Sequence, residues 1–333
     1  MKHGGDLAEA QVRYGGAPGH WLDLSTGINP HPWPVPAALD ASVWTRLPSR
    51  ADAEALEAAA RAAYGVPDGA AIVPAPGTQA LIQWLPRLAE PGAVAILGPT
   101  YNEHAASWRA AGQAAHEVHG PADVPARARH VVVVNPNNPD GRVLDRAGLL
   151  ALADACAARG GWLIVDESFA DLDPACSIVG ATADRPIVVL RSFGKFFGLA
   201  GVRLGFAVAP PAIGQNISEA LGPWAVAGPA LTIGRWALAD AAWAAAMRAR
   251  LDRGAAALDA ILAGAGLEVV GGTALYRLVR HPDAARIHDR LASARIWARR
   301  FDEAADLLRF GLPAGPAERE RLAAALSTPK KHR

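Results

Sequence analysis

The sequence predicts an α/β fold, with a large domain built on a mostly parallel central sheet flanked by helices and a smaller α+β domain. Three observations support this prediction. Short apolar runs bounded by Gly, Pro or Asn recur along the chain, Ala/Leu-rich segments with helical spacing lie between several of them, and the pattern changes after about Pro223. Alternating strands and helices are typical of a layered fold with a parallel sheet.

The apolar runs predict strands that are buried on both faces of the sheet. In chain order they read AAIVPAPG, GAVAILGP, HVVVVNP, GWLIVDES, PIVVLRS and GFAVAP. Helices are predicted between several of these strands, for example over TQALIQWLPRLAE and over DRAGLLALADACAARG. The second of these segments closes with a Gly pair, which suits a helix C-terminus.

The segment beyond residue 223 predicts a different unit. One long Ala-rich helix is expected over LTIGRWALADAAWAAAMRARLDRGAAALDAILAGAG, followed by strands in GGTALYRLVR, ARIWARR and LLRFGLP. The first forty-odd residues are rich in loops and prolines, and we expect them to pack with this smaller unit. The sequence thus predicts a large domain at residues 45–223 and a small domain at residues 1–44 and 224–333.

Composition narrows the classes of function. The chain has 333 residues, of which 51% are apolar, enough for a large core and a smaller one. Its formal net charge is +1 and charges of both signs are interspersed up to the terminal KKHR, which argues against a nucleic-acid partner. Two cysteines without metal or redox spacing fit a reducing compartment. Without a signal-like or membrane-length apolar run, we expect a soluble cytoplasmic protein and no membrane partner.

Polar and glycine residues collect where the predicted strands end, which is the edge where open α/β sheets bind ligands. Gly77, Thr78 and Gln79 lie at a strand-to-helix turn. Backbone N–H groups and the positive end of the helix dipole favour a phosphate there. The alternative is a helix-capping threonine beside a glycine turn. NPNNPDG ends another strand and, taken alone, is a polar turn.

Two further strand ends carry charged residues. WLIVDESF places Asp166 and Glu167 directly after an apolar strand, where a carboxylate needs a cationic or hydrogen-bonding partner. The alternative is that Asp166 caps a following helix. Ser192 and Lys195 follow PIVVL on a Gly-bounded turn, and Arg203 comes eight residues later. Because lysine is seldom buried without a partner, Lys195 is either an ordinary loop residue or is held for its chemistry.

Together these segments supply the residue types that bind pyridoxal phosphate. They are a phosphate cradle, an asparagine, a buried acid, a lysine and an arginine. The lysine forms a Schiff base with this cofactor, and the acid keeps its pyridine nitrogen protonated. Desolvation or nearby cations make a lysine nucleophilic, which gives a chemical reason for Lys195 on its turn.

Along nearly its whole length the chain resembles the fold-type-I pyridoxal phosphate enzymes, within the branch of histidinol-phosphate aminotransferases and threonine-phosphate decarboxylases. The resemblance implies that Lys195 is the Schiff-base lysine, Asp166 the partner of the pyridine nitrogen and Asn138, in NPNNPDG, the donor to the cofactor's phenolic oxygen. It also implies an aromatic ring beside the pyridine and a set of phosphate ligands around the Gly77 turn. These residues are Tyr101, Thr78, Gln79, Ser192 and Arg203.

The chain departs from the pattern of the aminotransferases at two positions. Their DEAY tyrosine also reaches the phenolic oxygen, whereas this chain has Phe169, so that hydrogen bond is absent. Where they carry Tyr-Pro from the neighbouring subunit, this chain has Leu47-Pro48, which weakens the expectation of a contact between that subunit and the cofactor phosphate.

The N-terminal HGGDL and the later LDLSTGINP resemble the threonine-phosphate decarboxylases. The resemblance implies that His3 and Asn29 bind substrate, although His3 is otherwise a loose terminal residue. Arg309, in LLRFGLP, matches an arginine that binds the substrate α-carboxylate, a task suited to a planar bidentate donor. Arg299 matches an arginine that meets the substrate's phosphate ester, and Arg300 is interpreted as a solvated neighbour. HEVH has poor spacing for a metal site on a strand, so no metal is predicted.

The resemblance implies decarboxylation of L-threonine O-3-phosphate to (R)-1-aminopropan-2-yl phosphate and carbon dioxide, in cobalamin biosynthesis, by a homodimer. An aminotransferase for histidinol phosphate or a related amino acid is the alternative. A non-catalytic binding relative is a second alternative, since a fold does not fix a function. The presence of Lys195 argues against that second alternative.

Overall fold

The structure, a computed structural model, describes residues 4–327, so the predicted substrate residue His3 lies outside the described residues. Helices and strands alternate over most of this range. The helices are α1 (Ala8–Tyr14), α2 (Ser42–Thr45), α3 (Arg50–Tyr64), α4 (Thr78–Leu88), α5 (Glu103–Ala110), α6 (Arg146–Ala157), α7 (Phe193–Phe196), α8 (Pro211–Leu221), α9 (Gly228–Ala239), α10 (Ala241–Gly264), α11 (Ala284–Ser293) and α12 (Pro316–Leu326). The strands are β1 (Leu22–Leu24), β2 (Ala71–Ala75), β3 (Ala93–Leu97), β4 (Ala114–Val118), β5 (Ala128–Val134), β6 (Leu163–Asp166), β7 (Ile187–Ser192), β8 (Gly205–Ala209), β9 (Glu268–Thr273), β10 (Tyr276–Arg280), β11 (Ile296–Arg300) and β12 (Leu307–Gly311).

These elements form two compact units. Within the described residues, the larger unit comprises residues 32–138 and 142–244, and the smaller comprises residues 4–31, 139–141 and 245–327. The domain boundaries that the sequence predicts, after residues 44 and 223, stay a prediction.

The larger unit contains a seven-stranded sheet in the order β2-β8-β7-β6-β5-β3-β4. Strands β7, β6, β5, β3 and β4 run parallel, and β8 is antiparallel to both of its neighbours. The six strands predicted from apolar runs are all present, so the prediction of a mostly parallel α/β sheet is confirmed. Strand β4 contains most of HEVH, which the sequence analysis placed on a strand. It lies at the sheet edge, where Ala114, His116 and Glu117 are exposed, and so it lacks the apolar run of the other strands.

The strand order creates a crevice at one edge of this sheet. The chain leaves β3 to form β4 on one side and then returns to form β5 on the other side of β3. Ligands of open α/β sheets bind where the order reverses in this way, outside the carboxyl ends of the strands. The residues after β3 and after β5 therefore border the place where a ligand is expected.

The smaller unit contains a five-stranded sheet in the order β1-β11-β12-β10-β9. Strand β1, from the N-terminal segment, pairs in parallel with β11, so this segment is part of the unit's sheet. The other pairs are antiparallel, and GGTALYRLVR forms a hairpin between β9 and β10. Arg299 on β11 lies directly opposite Arg309 on β12.

The long helix predicted after residue 223 is two helices, α9 and α10, separated at Asp240. The Asp240 backbone is not helical, with φ −88° and ψ 71°. Its side-chain Oδ1 accepts a hydrogen bond from Trp243 N at 2.9 Å, and this competition with the helix pattern explains the break. Even α10, the longest helix described, is too polar for a bilayer, and no helix within residues 4–327 has the length and apolar character to span one.

Candidate active site

Five strand ends bring the predicted cofactor residues to one edge of the larger unit's sheet. Strands β2, β3, β5, β6 and β7 all point their carboxyl ends there, because β2 and β7 are each antiparallel to β8, which lies between them. Strand β8 begins at this edge, and its first residue, Gly205, pairs with both Ala75 and Ser192. This register places the Gly77 turn, Ser192 and the segment around Arg203 beside one another.

The turn from β2 into α4 is tight and lies against Arg203. Gly77 has a φ of +85°, and a Cβ there would lie 2.6 Å from Arg203 Nη2. A Cβ on Gly205 would lie 2.6 Å from Thr78 N. The first N–H groups of α4, which have no partner inside the helix, therefore begin beside an exposed guanidinium. This donor set suits an anion such as a phosphate group.

Arg203 itself has an unusual backbone. Its φ of 55° lies in the left-handed region, which non-glycine residues seldom adopt. Its Nη1 donates a hydrogen bond to Ala200 O at 3.2 Å, so the guanidinium is held by its own loop. Strained backbone of this kind clusters at ligand sites, which fits the predicted role of Arg203.

The side chain of Gln79 points to Tyr101 and Glu103. Tyr101 Oη donates a hydrogen bond to Gln79 Oε1 at 3.3 Å, and Gln79 Nε2 donates one to Glu103 Oε2 at 2.9 Å. Burial raises the pKa of Tyr101 to about 12, so its hydroxyl is protonated at neutral pH. The side-chain amide of Gln79 therefore already has hydrogen-bond partners, and an anion at the turn would bind the backbone N–H of Gln79.

Asp166, at the end of β6, is 3% exposed and accepts three hydrogen bonds. His104 Nε2 lies 2.9 Å from its Oδ2, while Ser168 N, at 3.0 Å, and the Ser168 hydroxyl both donate to its Oδ1. Burial alone would raise the pKa of this carboxyl, but the hydrogen bonds from His104 and Ser168 outweigh it and hold the pKa below its usual value. The residues that follow Asp166 form turns and no helix, so the helix-capping alternative is wrong.

His104 is a functional candidate that sequence analysis missed. It lies on α5, three residues after Tyr101, and is 2% exposed. A histidine on a buried helix face needs a polar partner, and the buried Asp166 also needs one. The sequence signal was that each of these two residues needs a polar partner. Because they lie 62 positions apart in the sequence, local spacing does not show that they are partners.

The two asparagines after β5 differ in their surroundings. Asn137 accepts a hydrogen bond from Thr100 Oγ1 at 2.6 Å and donates one from its Nδ2 to Pro99 O at 3.0 Å, so it ties the end of β5 to the end of β3. Asn138 lies beside it at the crevice and is half-buried. Its contact with the cofactor's phenolic oxygen stays a prediction.

Lys195 lies on α7, the one-turn helix that follows β7, and is half-buried. The turn is rigid: a Cβ on Gly194 would lie 2.8 Å from Ala200 Cα, and the Phe193 and Phe197 rings stack at 4.6 Å. Phe197 also stacks on Trp243 at 5.6 Å. The sequence has four lysines, and Lys195 is the single one between residue 2 and residue 330.

Next to these site residues lies a buried ion cluster that sequence analysis did not predict. Arg191 Nη1 donates to Glu167 Oε2 at 2.8 Å and Arg191 Nη2 donates to Asp171 Oδ1 at 2.5 Å. The guanidinium lies 4.4 Å from the Tyr64 ring centroid. Because Glu167 follows Asp166 and Arg191 precedes Ser192, the cluster connects the two strand ends that carry the site.

Phe169 and Leu47, where the chain departs from the aminotransferase pattern, differ in their exposure to solvent. Phe169 is 4% exposed and offers no hydroxyl. Leu47, in contrast, is 67% exposed, as is Trp44 on the short helix α2 that precedes it. Two large apolar side chains, Leu47 and Trp44 three residues before it, are thus open to solvent.

The predicted substrate residues lie in the smaller unit. Arg309, on β12, is 7% exposed, donates from Nη2 to Ser25 O at 2.8 Å and places its guanidinium 5.0 Å from the Tyr276 ring centroid. Burial lowers the pKa of Arg309 to about 10, so it stays charged at neutral pH. Asn29 is 2% exposed, and its Oδ1 accepts a hydrogen bond from His31 N at 2.8 Å.

Arg299 lies opposite Arg309 on the neighbouring strand. It also lines a cavity of about 430 Å³, whose charged lining includes two further arginines and three acidic residues: Arg13, Arg300, Asp6, Glu9 and Asp302. Burial lowers the pKa of Arg299 below its usual value. Like charges directly opposite on neighbouring strands destabilise a sheet. A pair of arginines in this position therefore suits an anionic ligand, whose negative charge would offset the repulsion.

Comparison with known proteins agrees with this architecture. The family model described as aminotransferase class I and II matches residues 20–326. A protein of Sinorhizobium sp. named threonine-phosphate decarboxylase is 50% identical over 98% of this chain and 97% of its own length. A protein of the same name from Pseudomonas aeruginosa is 45% identical over 98% and 97%. The solved structure of histidinol-phosphate aminotransferase from Sinorhizobium meliloti in complex with pyridoxal-5'-phosphate has a TM-score of 0.81 at 20% identity, over 96% of this chain and 93% of that one. The predicted fold type I is thereby confirmed, and the chain belongs to the aminotransferase class I and II family.

Proposed function

We propose that this protein is a pyridoxal phosphate-dependent decarboxylase. It converts L-threonine O-3-phosphate and one proton to (R)-1-aminopropan-2-yl phosphate and carbon dioxide, a step of cobalamin biosynthesis. The observation that carries this proposal is the 50% identity, over 98% of the chain, to a relative named threonine-phosphate decarboxylase. The geometry of the larger unit independently supports the cofactor part of this proposal.

The described residues fit pyridoxal phosphate at three points. The Gly77 turn, the start of α4 and Arg203 form a cradle with no room for a Cβ at Gly77, which suits the phosphate group. Asp166 is buried and held ionised by its hydrogen bonds, which suits a protonated pyridine nitrogen. Lys195 lies on a rigid turn at the same edge of the sheet and would bind the cofactor covalently. When bound, the cofactor supplies an electron-withdrawing ring that stabilises negative charge at the substrate α-carbon.

The anionic groups of the substrate need cationic partners. We assign the α-carboxylate to Arg309, a buried planar donor, and the phosphate ester to Arg299, with Asn29 beside the carboxylate. Both arginines lie on one face of the small unit's sheet because they pair directly across β11 and β12. Their mutual repulsion without ligand, and its relief by two anions, would favour a substrate with two negative groups over threonine itself.

The protein selects the reaction by positioning. When the substrate is held at both anionic ends, its bond from Cα to the carboxylate, and not its Cα–H bond, has the orientation in which it can break. Lys195 Nζ or a water then delivers a proton to the α-carbon. Binding energy at the phosphate ester is remote from the bond that breaks, so unphosphorylated threonine should lose rate as well as affinity.

The test is carbon dioxide release from L-threonine O-3-phosphate by purified protein in the absence of any keto-acid acceptor. We expect release of carbon dioxide in equal amount with the amino alcohol phosphate and little turnover of threonine. Amino transfer from histidinol phosphate to 2-oxoglutarate, without carbon dioxide from threonine phosphate, would instead support the aminotransferase alternative.

We further propose that the protein is a cytoplasmic homodimer. The exposed Trp44 and Leu47, both 67% exposed, support a partner surface at α2, because large apolar side chains clustered on a surface indicate an interaction site. Symmetric dimers are also the commonest soluble oligomers.

A further inference from the structure

The carboxylate of Asp166 has an unequal distribution of hydrogen bonds over its two oxygens. Oδ1 is approached by two donors, the backbone N–H of Ser168 and the Ser168 hydroxyl, and Oδ2 by one, His104 Nε2. An ionised carboxylate only accepts hydrogen bonds and has about four lone-pair sites, two on each oxygen. Three of these sites are therefore used by the protein, and the remaining one is on Oδ2.

Ser168 alone saturates Oδ1. Its N–H and its hydroxyl reach the same oxygen because the residues after Asp166 turn back on the carboxylate. Ser168 is 8% exposed and Asp166 is 3% exposed, so water does not compete for these bonds. A buried carboxylate held through one oxygen by two donors of a single residue has a fixed plane and a fixed free lone pair.

Ser168 is a departure from the aminotransferase pattern. Where the DEAY motif of the aminotransferases has alanine and tyrosine, this chain has Ser168 and Phe169. It thus lacks a hydroxyl at the tyrosine position and has an additional one beside Asp166. The hydrogen bonds of Ser168 and His104 also hold the pKa of Asp166 below its usual value against the effect of burial.

We propose that Ser168 is a positioning residue that occupies Asp166 Oδ1 with both of its donors and so dedicates Oδ2 to the pyridine N–H of pyridoxal phosphate. This inference rests on the proposed function, since it needs the cofactor. His104 fixes the other side of Oδ2, and the two residues together leave the carboxylate one acceptor direction. Ser168 acts only through Asp166.

The experiment compares equilibrium binding of pyridoxal phosphate with binding of its 1-deaza analogue, which has carbon in place of the ring nitrogen. The ratio of the two dissociation constants measures the contribution of the ring nitrogen, and it is insensitive to a general loss of structure that weakens both ligands equally. We expect wild type to prefer pyridoxal phosphate. Ser168→Ala removes the hydroxyl donor to Oδ1 and keeps the backbone N–H donor. Because a hydrogen bond to a charged group is worth about tenfold in an equilibrium constant, the loss of one of the two donors should reduce this preference severalfold, up to about tenfold.

Ser177→Ala is the matched control. The Ser177 hydroxyl donates to Glu167 Oε2 at 2.6 Å, so this variant also removes a hydroxyl-to-carboxylate hydrogen bond, but on the carboxylate next to Asp166 in the chain. Its preference for pyridoxal phosphate over the analogue should equal that of wild type. An unchanged preference in Ser168→Ala, or an equal loss in Ser177→Ala, would overturn the role of Ser168 while leaving the cofactor proposal intact. Failure of wild type to bind pyridoxal phosphate would overturn both.

Discussion

Arg191 and Glu167 form an ion pair of 2.8 Å inside the protein, with side chains that are 3% and 0% exposed. Asp171 completes the cluster on the other side of the guanidinium. Burial alone would lower the pKa of Arg191, but Asp171 and Glu167 outweigh it and raise this pKa above its usual value, so the guanidinium stays charged. Burial raises the pKa of the Glu167 carboxyl. Its position between the Asp166 and Ser192 strand ends makes the cluster a structural support of the site.

Arg191→Met should destabilise the protein by about 3–5 kcal/mol, because it leaves two carboxylates buried without a cation. Urea denaturation of the cofactor-free protein measures this loss. Arg185→Met is the control, since Arg185 also pairs with an aspartate, Asp154, at 2.9 Å but at the surface. Its loss should lie within about 1 kcal/mol. Similar losses for both variants would show that burial of the cluster adds nothing.

The covalent site of the cofactor should be Lys195. Protein loaded with pyridoxal phosphate is expected to absorb visible light, and borohydride should fix the cofactor to one peptide. The chain's other lysines, Lys2, Lys330 and Lys331, serve as internal controls in the same digest. If Lys195→Ala still retains reducible cofactor, as judged by peptide mass, the assignment of Lys195 is wrong.

Arg309→Lys should weaken binding of threonine phosphate by about thirtyfold or more, because lysine cannot replace a buried bidentate donor. The dissociation constant of pyridoxal phosphate should change little. Arg280→Lys provides a comparison on the neighbouring strand β10, where the arginine is exposed and pairs with Asp306. Steady-state kinetics and cofactor titration separate the two effects. Equal loss of both ligands would indicate that Arg309 has a structural role through Ser25 and Tyr276.

Acid should destabilise the protein through His288. Burial lowers the pKa of His288 to about 4 from 6.5, so between these values the unfolded state binds a proton that the folded state does not. Stability therefore falls as the pH drops through this window, by about 2 kcal/mol between about pH 7 and pH 5 for this group alone. His288→Phe should remove that part of the pH dependence in denaturation curves. A slope unchanged by the substitution would assign the acid sensitivity to other groups.

The protein should sediment as a dimer at assay concentrations, and Leu47→Arg should shift it toward monomer. Leu47 and Trp44 are both exposed, and a charge at position 47 would disfavour burial of this surface against an apolar partner. Val12→Arg introduces the same charge at another exposed apolar residue, which is 90% exposed on α1, and should leave the mass unchanged. A wild type that sediments as a fully active monomer would contradict the dimer proposal.

The sequence predicted the six apolar strands because burial on both faces leaves a continuous apolar run. Strand β4 has no such run, since Ala114 and His116 are exposed at the sheet edge. The break at Asp240 was hidden because helical periodicity is continuous across it, and only the capping of Trp243 N by Asp240 ends the pattern.

The candidate site was predictable where its residues follow strand ends, as Asp166 and Lys195 do, since parallel strands bring their carboxyl ends to one edge. The partners of those residues were not. His104 and Arg191 meet their carboxylates across 62 and 24 positions of the sequence. Such pairs depend on which strands and helices are neighbours in the fold, and neither composition nor local spacing predicts those neighbours.

Lys195 on α7 is far from every other lysine in the sequence, so cleavage by a lysine-specific protease reports the chemical state of this one side chain. A protease that cuts only after lysine can cleave the denatured polypeptide between residues 3 and 329 at one bond, Lys195–Phe196. An alkylated lysine is no longer a substrate, so reductive fixation of a ligand on that side chain would convert two large fragments into one. The fraction of uncut chain on a gel then measures the occupancy of this single amine directly, without colour, activity or label.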